Sequence, residues 1–149
     1  MFADIKTRAD VGTLDAKIHG FKFPDFQGQV SFFFDGSSIG IYLIAKQPLS
    51  ETEWNEISFV VSQDIQAIRY ELPNAAVKIA PNFREVWMDE HGETHSRNYV
   101  TDKNSGHFTV KKFDRKTGEL EAEFNVSVLD EGKGHQAIGK IKVDRWSEV

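Results

Sequence analysis

The chain contains no cysteine. That excludes a disulfide scaffold, a thiol nucleophile, a zinc ribbon and an iron–sulfur centre, and it fits a reducing compartment such as the cytoplasm. Basic excess is also missing: 18 Lys and Arg stand against 23 Asp and Glu, a net charge of −5. Nucleic-acid binders present a basic patch or stripe, so no nucleic-acid partner is expected. The densest basic stretch, Lys111-Lys112-Phe113-Asp114-Arg115-Lys116, is broken by Asp114 and reads as a solvated hairpin. Long apolar runs are absent as well. The longest nearly apolar one ends at Ala45 after starting at Ile39, far short of the roughly 20 residues of a membrane-spanning helix. The opening Met1-Phe2-Ala3-Asp4-Ile5-Lys6 carries no apolar leader core, so no secretory signal is expected.

What remains is 149 residues, 40% hydrophobic and 28% charged, with 12 Phe, 3 Trp and 3 Tyr. That is the size of one domain, large enough to hold a core without disulfides or metal. We read residues 1–149 as a single all-β domain.

The dominant period is two. Leu120, Ala122, Phe124, Val126 and Val128 alternate with Glu119, Glu121, Glu123, Asn125 and Ser127, a strand with one buried and one wet face. Asp114-Arg115-Lys116-Thr117-Gly118 predicts a type I turn before it, ending in a left-handed residue. Asp130-Glu131-Gly132-Lys133-Gly134 predicts a turn after it. Alternation then resumes at Ala137, Gly139, Ile141 and Val143, with Lys140 and Lys142 able to lie opposite the Glu-bearing face. Residues 105–146 thus read as a three-stranded meander. Further upstream, Leu14, Ala16 and Ile18 alternate and lead to Phe21 and Phe23, before Pro24-Asp25 breaks the strand. Val30 to Phe34 and Ile39 to Ala45 flank a turn at Asp35-Gly36-Ser37-Ser38. Both strands are apolar on both faces, which predicts that both faces are covered. Arg84 to Met88 and Thr94 to Val100 flank His91-Gly92 as a further hairpin.

Residues 50–68 read two ways. Ser50-Glu51-Thr52-Glu53 has the form of a capping box, and Trp54, Ile57, Val61, Ile65 and Ile68 recur at helical spacing. Ile57, Phe59 and Val61 also alternate. A helical turn at 50–54 followed by a strand over about 55–62 is the expectation, with one helix through 68 as the competitor. The fold class expected is therefore all-β: an antiparallel β-sandwich or up-and-down barrel of about nine or ten short strands, with at most one short helix near residues 50–62. Unpaired sheet edges would permit a homodimer.

The C-terminal strands resemble a family of small all-β domains of unknown function found in bacterial surface lipoproteins. The likeness rests on Tyr99-Val100-Thr101, Gly106-His107-Phe108-Thr109-Val110, Asp114 and the Gly118 to Phe124 strand, together with Gly12 to Gly20 as an opening strand. It covers about a third of the chain and consists of strand-and-turn chemistry. The chain lacks the lipoprotein cysteine, and the resemblance implies a fold but no catalytic residue or cofactor. The lipocalin G-x-W opening is absent.

Chemistry has few seats. Asp89-Glu90-His91-Gly92-Glu93-Thr94-His95 is the most polar stretch. Asp89, His91, Glu93 and His95 form a candidate metal set, although the pattern is not H-E-x-x-H and a solvated loop tip is the simpler reading. His19, His107 and His135 fall on expected polar faces or turns. No G-x-S-x-G elbow and no phosphate loop is present. The aromatics stand out more. Phe21, Phe23, Phe26, Phe32, Phe33 and Phe34 crowd a short span, and consecutive residues of a strand point to opposite faces. A core filled on both sides accounts for them; so does an apolar pocket. Phe21, Phe23, Phe32, Phe34, Tyr42, Trp54 and Trp87 are the candidate ligand-binding residues. The leading expectation is a non-enzymatic binding module for an apolar small molecule or a protein partner, with no cofactor. An acidic inhibitory protein and a metal-dependent hydrolase using His91 and His95 are the alternatives.

Overall fold

The computed structural model describes residues 11–34 and 40–147. The expected Asp35–Ser38 turn and the Met1–Lys6 opening lie outside the described residues. Among the described residues ten strands form: β1 (Gly12–Ile18), β2 (Asp25–Phe34), β3 (Ile41–Pro48), β4 (Glu53–Val61), β5 (Arg69–Glu71), β6 (Val77–Met88), β7 (Thr94–Tyr99), β8 (His107–Asp114), β9 (Glu119–Asp130) and β10 (Lys133–Val143). All pair antiparallel in one sheet of order β5-β8-β9-β10-β1-β2-β3-β4-β6-β7. The sheet is continuous and curled into a half-barrel rather than split into two facing layers. Among the described residues there is no helix, and hence none long and apolar enough to cross a membrane.

The curl is drawn together by the chain that leaves β7. Asp102 N–H donates to the Ser127 carbonyl at 2.8 Å, Leu129 N–H donates to the Val100 carbonyl at 2.8 Å, and Thr101 bridges Val128. Inside lies a single apolar core. Phe26, Phe32, Phe59, Phe83, Phe108 and Phe124 are all fully buried, each contributing about 1.5–3 kcal/mol by removal from water. Phe59 meets Phe108 edge-on at 4.9 Å across the interior. The close-packed middle depends on Gly139, which faces Phe124 across β9 and β10. A Cβ there would lie 2.3 Å from the Phe124 ring.

The turns behave as their chemistry dictates. Gly118 N–H donates to the Asp114 carbonyl at 2.8 Å, Asp114 Oδ1 accepts from Lys116 N–H, and Gly118 sits at φ 85°. Glu131 and Gly132 both have positive φ, as a two-residue type I′ hairpin requires. Lys140 pairs with Glu123 and Lys142 with Glu121 in the register of β9 and β10. Lys111 and Lys112 reach Glu123 and Glu119 at 2.8 and 3.1 Å, so the basic stretch is largely answered by its own sheet.

Two expectations need correction. Residues 50–54 do not make a helical turn. Leu49 and Ser50 N–H both donate to the Glu53 carbonyl, at 2.9 and 3.1 Å, and Ser50 Oγ accepts from Thr52 N–H. The serine closes a hairpin turn rather than capping a helix, because β4 begins at Glu53 and pairs with both β3 and β6. His135 is not a surface histidine. It shares the inward parity of Ala137 and Ile141, is buried, and holds the β1–β2 loop with Nδ1 at 3.0 Å from the His19 carbonyl.

Candidate functional site

The two ends of the half-barrel differ. At one end, Trp146 stacks on Phe32 at 4.8 Å and lies against Phe34 at 4.7 Å and Phe113 at 6.1 Å, with its indole N–H on the Arg115 carbonyl at 3.0 Å. That end is capped. The other end, where the β1–β2, β3–β4 and β6–β7 connections gather, is where polar groups enter the concave face.

Cross-strand partners in antiparallel pairs share a face, so the registers read the concave face row by row. Ala45, Ile57, Phe83 and Tyr99 form one row across β3, β4, β6 and β7. The next row outward is Gln47, Asn55, Glu85 and Arg97, and after it come Glu53, Trp87 and His95. An apolar floor thus gives way within one strand step to amides, charges and an indole. Over this boundary the β1–β2 loop lays Phe21 and Phe23. Phe23 stacks on Phe83 at 5.9 Å, and Phe21 meets Phe83 and Tyr99 edge-on at 5.1 and 5.0 Å.

A recess of about 220 Å³ opens here, lined by Phe23, Leu49, Trp54, Asn55, Glu85 and Trp87 among others. The carboxylate of Glu85 is held on both oxygens: Tyr99 Oη–H donates to Oε2 at 2.6 Å and Lys22 Nζ sits 3.2 Å from Oε1. Lys22 is raised above the ordinary lysine range, first by its hydrogen bond to Tyr99 and then by Glu85, against the opposing pull of burial. Arg97, next in the row, is likewise raised, chiefly by Tyr99. Gln47 Nε2–H donates to the Asp25 carbonyl at 3.2 Å. Asn55 is different. Its residue is 1% exposed, and neither Nδ2 nor Oδ1 has a partner; Trp54 Nε1 shares that condition, and among the described residues these are the buried side-chain nitrogen and oxygen atoms without one. Leaving such a group unmade costs about 1–3 kcal/mol.

Of the seven aromatic candidates, Phe23 and Trp87 line this recess on the concave side; Trp54, although part of the lining, shares the opposite face with Pro48 and Val86, its ring under Lys46 Nζ at 5.5 Å. Phe21 is a buried neighbour beneath the recess, and Phe32 belongs to the core at 0% exposure. Phe34, 42% exposed, belongs with Trp146 at the capped end. Tyr42 stands on the convex face, stacked on Phe33 at 5.8 Å. There the registers align Phe33, Tyr42, Val60 and Ile79 across four strands, so the second apolar face of β2 and β3 is a convex stripe and not a second core. It runs toward an open groove of about 780 Å³ whose lining includes Ile79, Val100, Lys78, Arg84 and Lys103 and no carboxylate. Arg84 there is bonded to Glu56 through Nε at 2.9 Å.

Asp89, Glu93 and His95 bring their ligand atoms within 4.8 Å of one another. His91 stays apart, beside Glu90 at 3.5 Å. The Asp89 carboxylate is already engaged by the turn: Oδ1 accepts from the N–H of His91 and of Glu93, each at 2.9 Å, and Oδ2 lies 2.7 Å from His95 Nε2. These bonds, led by that of His95, hold Asp89 below the ordinary carboxylate range. His95 in turn stacks on Trp87 at 5.8 Å. The cluster ties the hairpin to the wall of the recess, and a metal would have to displace bonds the hairpin uses.

Comparison with protein-family models, curated proteins and solved structures yields no match.

Proposed function

We propose that the chain is a non-enzymatic β-sheet binding module whose ligand is a small, flat, largely apolar molecule seated between Phe23 and Trp87 at the uncapped end of the half-barrel. The observation that carries this reading is the recess itself: aromatic walls above a polar row, at the one end that Trp146 does not close. Its volume suits a single ring system rather than a drug-sized molecule, since sites for the latter run from roughly 300 Å³ upward. A binding role is favoured over a catalytic one by Glu85, whose oxygens are both committed to Tyr99 and Lys22 and so offer no free base. The capped end supports the same choice, because there the aromatic side chains satisfy one another. The test is a titration with plain ring compounds such as indole and p-cresol, followed by the backbone and indole N–H NMR signals. Shifts clustered at Phe23 and Trp87, lost in Phe23→Ala and Trp87→Ala, are expected. Shifts elsewhere, or none, would overturn the reading.

A second reading places a protein partner on the convex face. It is favoured by the Phe33–Tyr42–Val60–Ile79 row running toward a groove with a lining free of carboxylates. Ile79→Asp would abolish such binding while leaving ring binding intact, as read by the same NMR signals.

A further inference from the structure

We propose that the recess takes a flat ring carrying a positive charge on an alkylated nitrogen, in the chemical class of the N-alkylpyridiniums, held on the open side of Trp87 with Glu53 as its counter-charge. The inference rests on the uncapped end being a binding site and adds the charge of what it binds.

Among the described residues, the charged members of the lining are Glu53 and Glu85, with no lysine, arginine or histidine. Glu85 is engaged by Tyr99 and Lys22. Glu53 is exposed, and among the described residues its carboxylate has neither an ion pair nor a hydrogen bond. Its backbone is fixed, because its carbonyl accepts from Leu49 and Ser50 N–H in the hairpin turn. It stands directly opposite Trp87 in the register of β4 and β6, on the same face. One side of that indole is covered by His95, which Asp89 holds at 2.7 Å. Phe23, Tyr99 and Trp54 each carry a lysine of the chain's own: Lys22 Nζ lies 5.9 Å from the Phe23 centroid and 5.2 Å from that of Tyr99, and Lys46 Nζ lies 5.5 Å from that of Trp54. Trp87 has no lysine or arginine over it among the described residues, yet it is the ring beside an unanswered carboxylate. The wider field has the same sign. The β3–β4 and β6–β7 turns lie side by side, with Met88 N–H on the Thr52 carbonyl at 2.8 Å. Together they carry Glu51, Glu53, Asp89, Glu90 and Glu93 and no lysine or arginine. A cleft bordered by one sign of charge concentrates the other.

The same groups decide the kind of cation. A primary ammonium brings three N–H donors, and the lining offers it one free carboxylate. A divalent metal ion wants several oxygen ligands. An alkylated ring nitrogen has no N–H to satisfy and spreads its charge over apolar surface, which suits an indole face. Its ring is flat, which matches Phe23 and Trp87 as walls. An anion would face Glu53.

The test uses the full chain at low ionic strength and three probes of similar size: N-methylpyridinium, toluene and benzoate. Binding is followed by NMR at the Trp87 indole N–H. N-methylpyridinium is expected to bind about tenfold more tightly than toluene, and benzoate to bind weakest. Glu53→Gln, a change at an exposed side chain, is expected to reduce the preference for the cation about threefold. Salt at about 0.5 M is expected to reduce it similarly in the unaltered protein, which supplies the same test without a variant. Toluene bound as tightly as the cation, benzoate bound best, or a preference unmoved by both Glu53→Gln and salt would overturn the assignment. Cation-induced shifts confined to Asp89, Glu90 and Glu93 would overturn it too, since they would mark a diffuse acidic surface. If indole shifts Trp87 and N-methylpyridinium does not, the charge assignment alone fails. If indole itself fails to shift Trp87, the binding site fails with it.

Discussion

The capped and uncapped ends of this half-barrel use the same residue types to opposite ends. At the capped end Phe32, Phe34, Phe113 and Trp146 face one another, and the one polar atom of the indole finds a carbonyl. At the uncapped end Phe23 and Trp87 lie beside a row of amides and charges, and Asn55 in that row keeps two polar atoms with nothing to bond. Self-satisfied aromatics stabilise; unmet hydrogen-bonding groups beside aromatics cost stability. If the recess binds as proposed, stability and recognition are separated along the axis of one sheet, by a single step in the alternation of β4 and β6.

The separation can be broken in order of effect. Phe32→Ala, at the capped end, is expected to lower stability by about 3–5 kcal/mol, whereas Trp87→Ala, 37% exposed, should change it by no more than about 1 kcal/mol; urea denaturation monitored by circular dichroism measures both. Comparable losses would mean that the uncapped end is core after all. Gly139→Val tests the packed middle, where the added carbon meets the Phe124 ring; a loss of about 1–3 kcal/mol is expected, with ring binding retained by the folded fraction. Asn55→Leu should move the other way, raising stability by about 1 kcal/mol, because it removes two unpaired polar atoms from a buried place. A clear loss would mean that Asn55 is satisfied within the fold. The smallest effect is local. Asp89 is held below its usual range, so its ionised form favours the folded hairpin. That contribution is complete above the unfolded value near 3.8 and fades as pH falls through the lower, folded value. The amide signals of His91 and Glu93 should report this as a late acid titration, absent in Asp89→Ala, with little change in global melting temperature.

Much of this was legible in the residues. The alternation of β9 and β10, the Asp114–Gly118 turn, the Glu131-Gly132 turn and the β6–β7 hairpin follow from side-chain period and turn chemistry alone. The polar row did not emerge, although its signal was there. Ile57, Phe59 and Val61 define the inward parity of β4, and counting back by two lands on Asn55; Phe83 counts forward to Glu85. Both are polar residues on an apolar parity. Ser50 to Glu53 concealed this, since a capping box and an ST-type hairpin turn present the same hydroxyl and differ only in what the chain does next. His135 was obscured in the same way, two residues before Ala137 on the buried face. Which aromatics converge was not legible at all, because it depends on how far the sheet curls. That is set by pairings between distant strands, such as the bridge from Thr101 to Val128.

The place of β1 in the sheet has a consequence for how the molecule is made. Its neighbours are β2 and β10, so the first described strand to leave the ribosome must wait for the last before its second edge is covered. Until residues 133–143 emerge, the nascent chain holds open edges on β1 and on β9, the kind of surface that recruits other chains. Synthesis stalled before residue 133 is therefore expected to yield chaperone-bound or aggregated product, and completion of the tenth strand to release it in a single cooperative step.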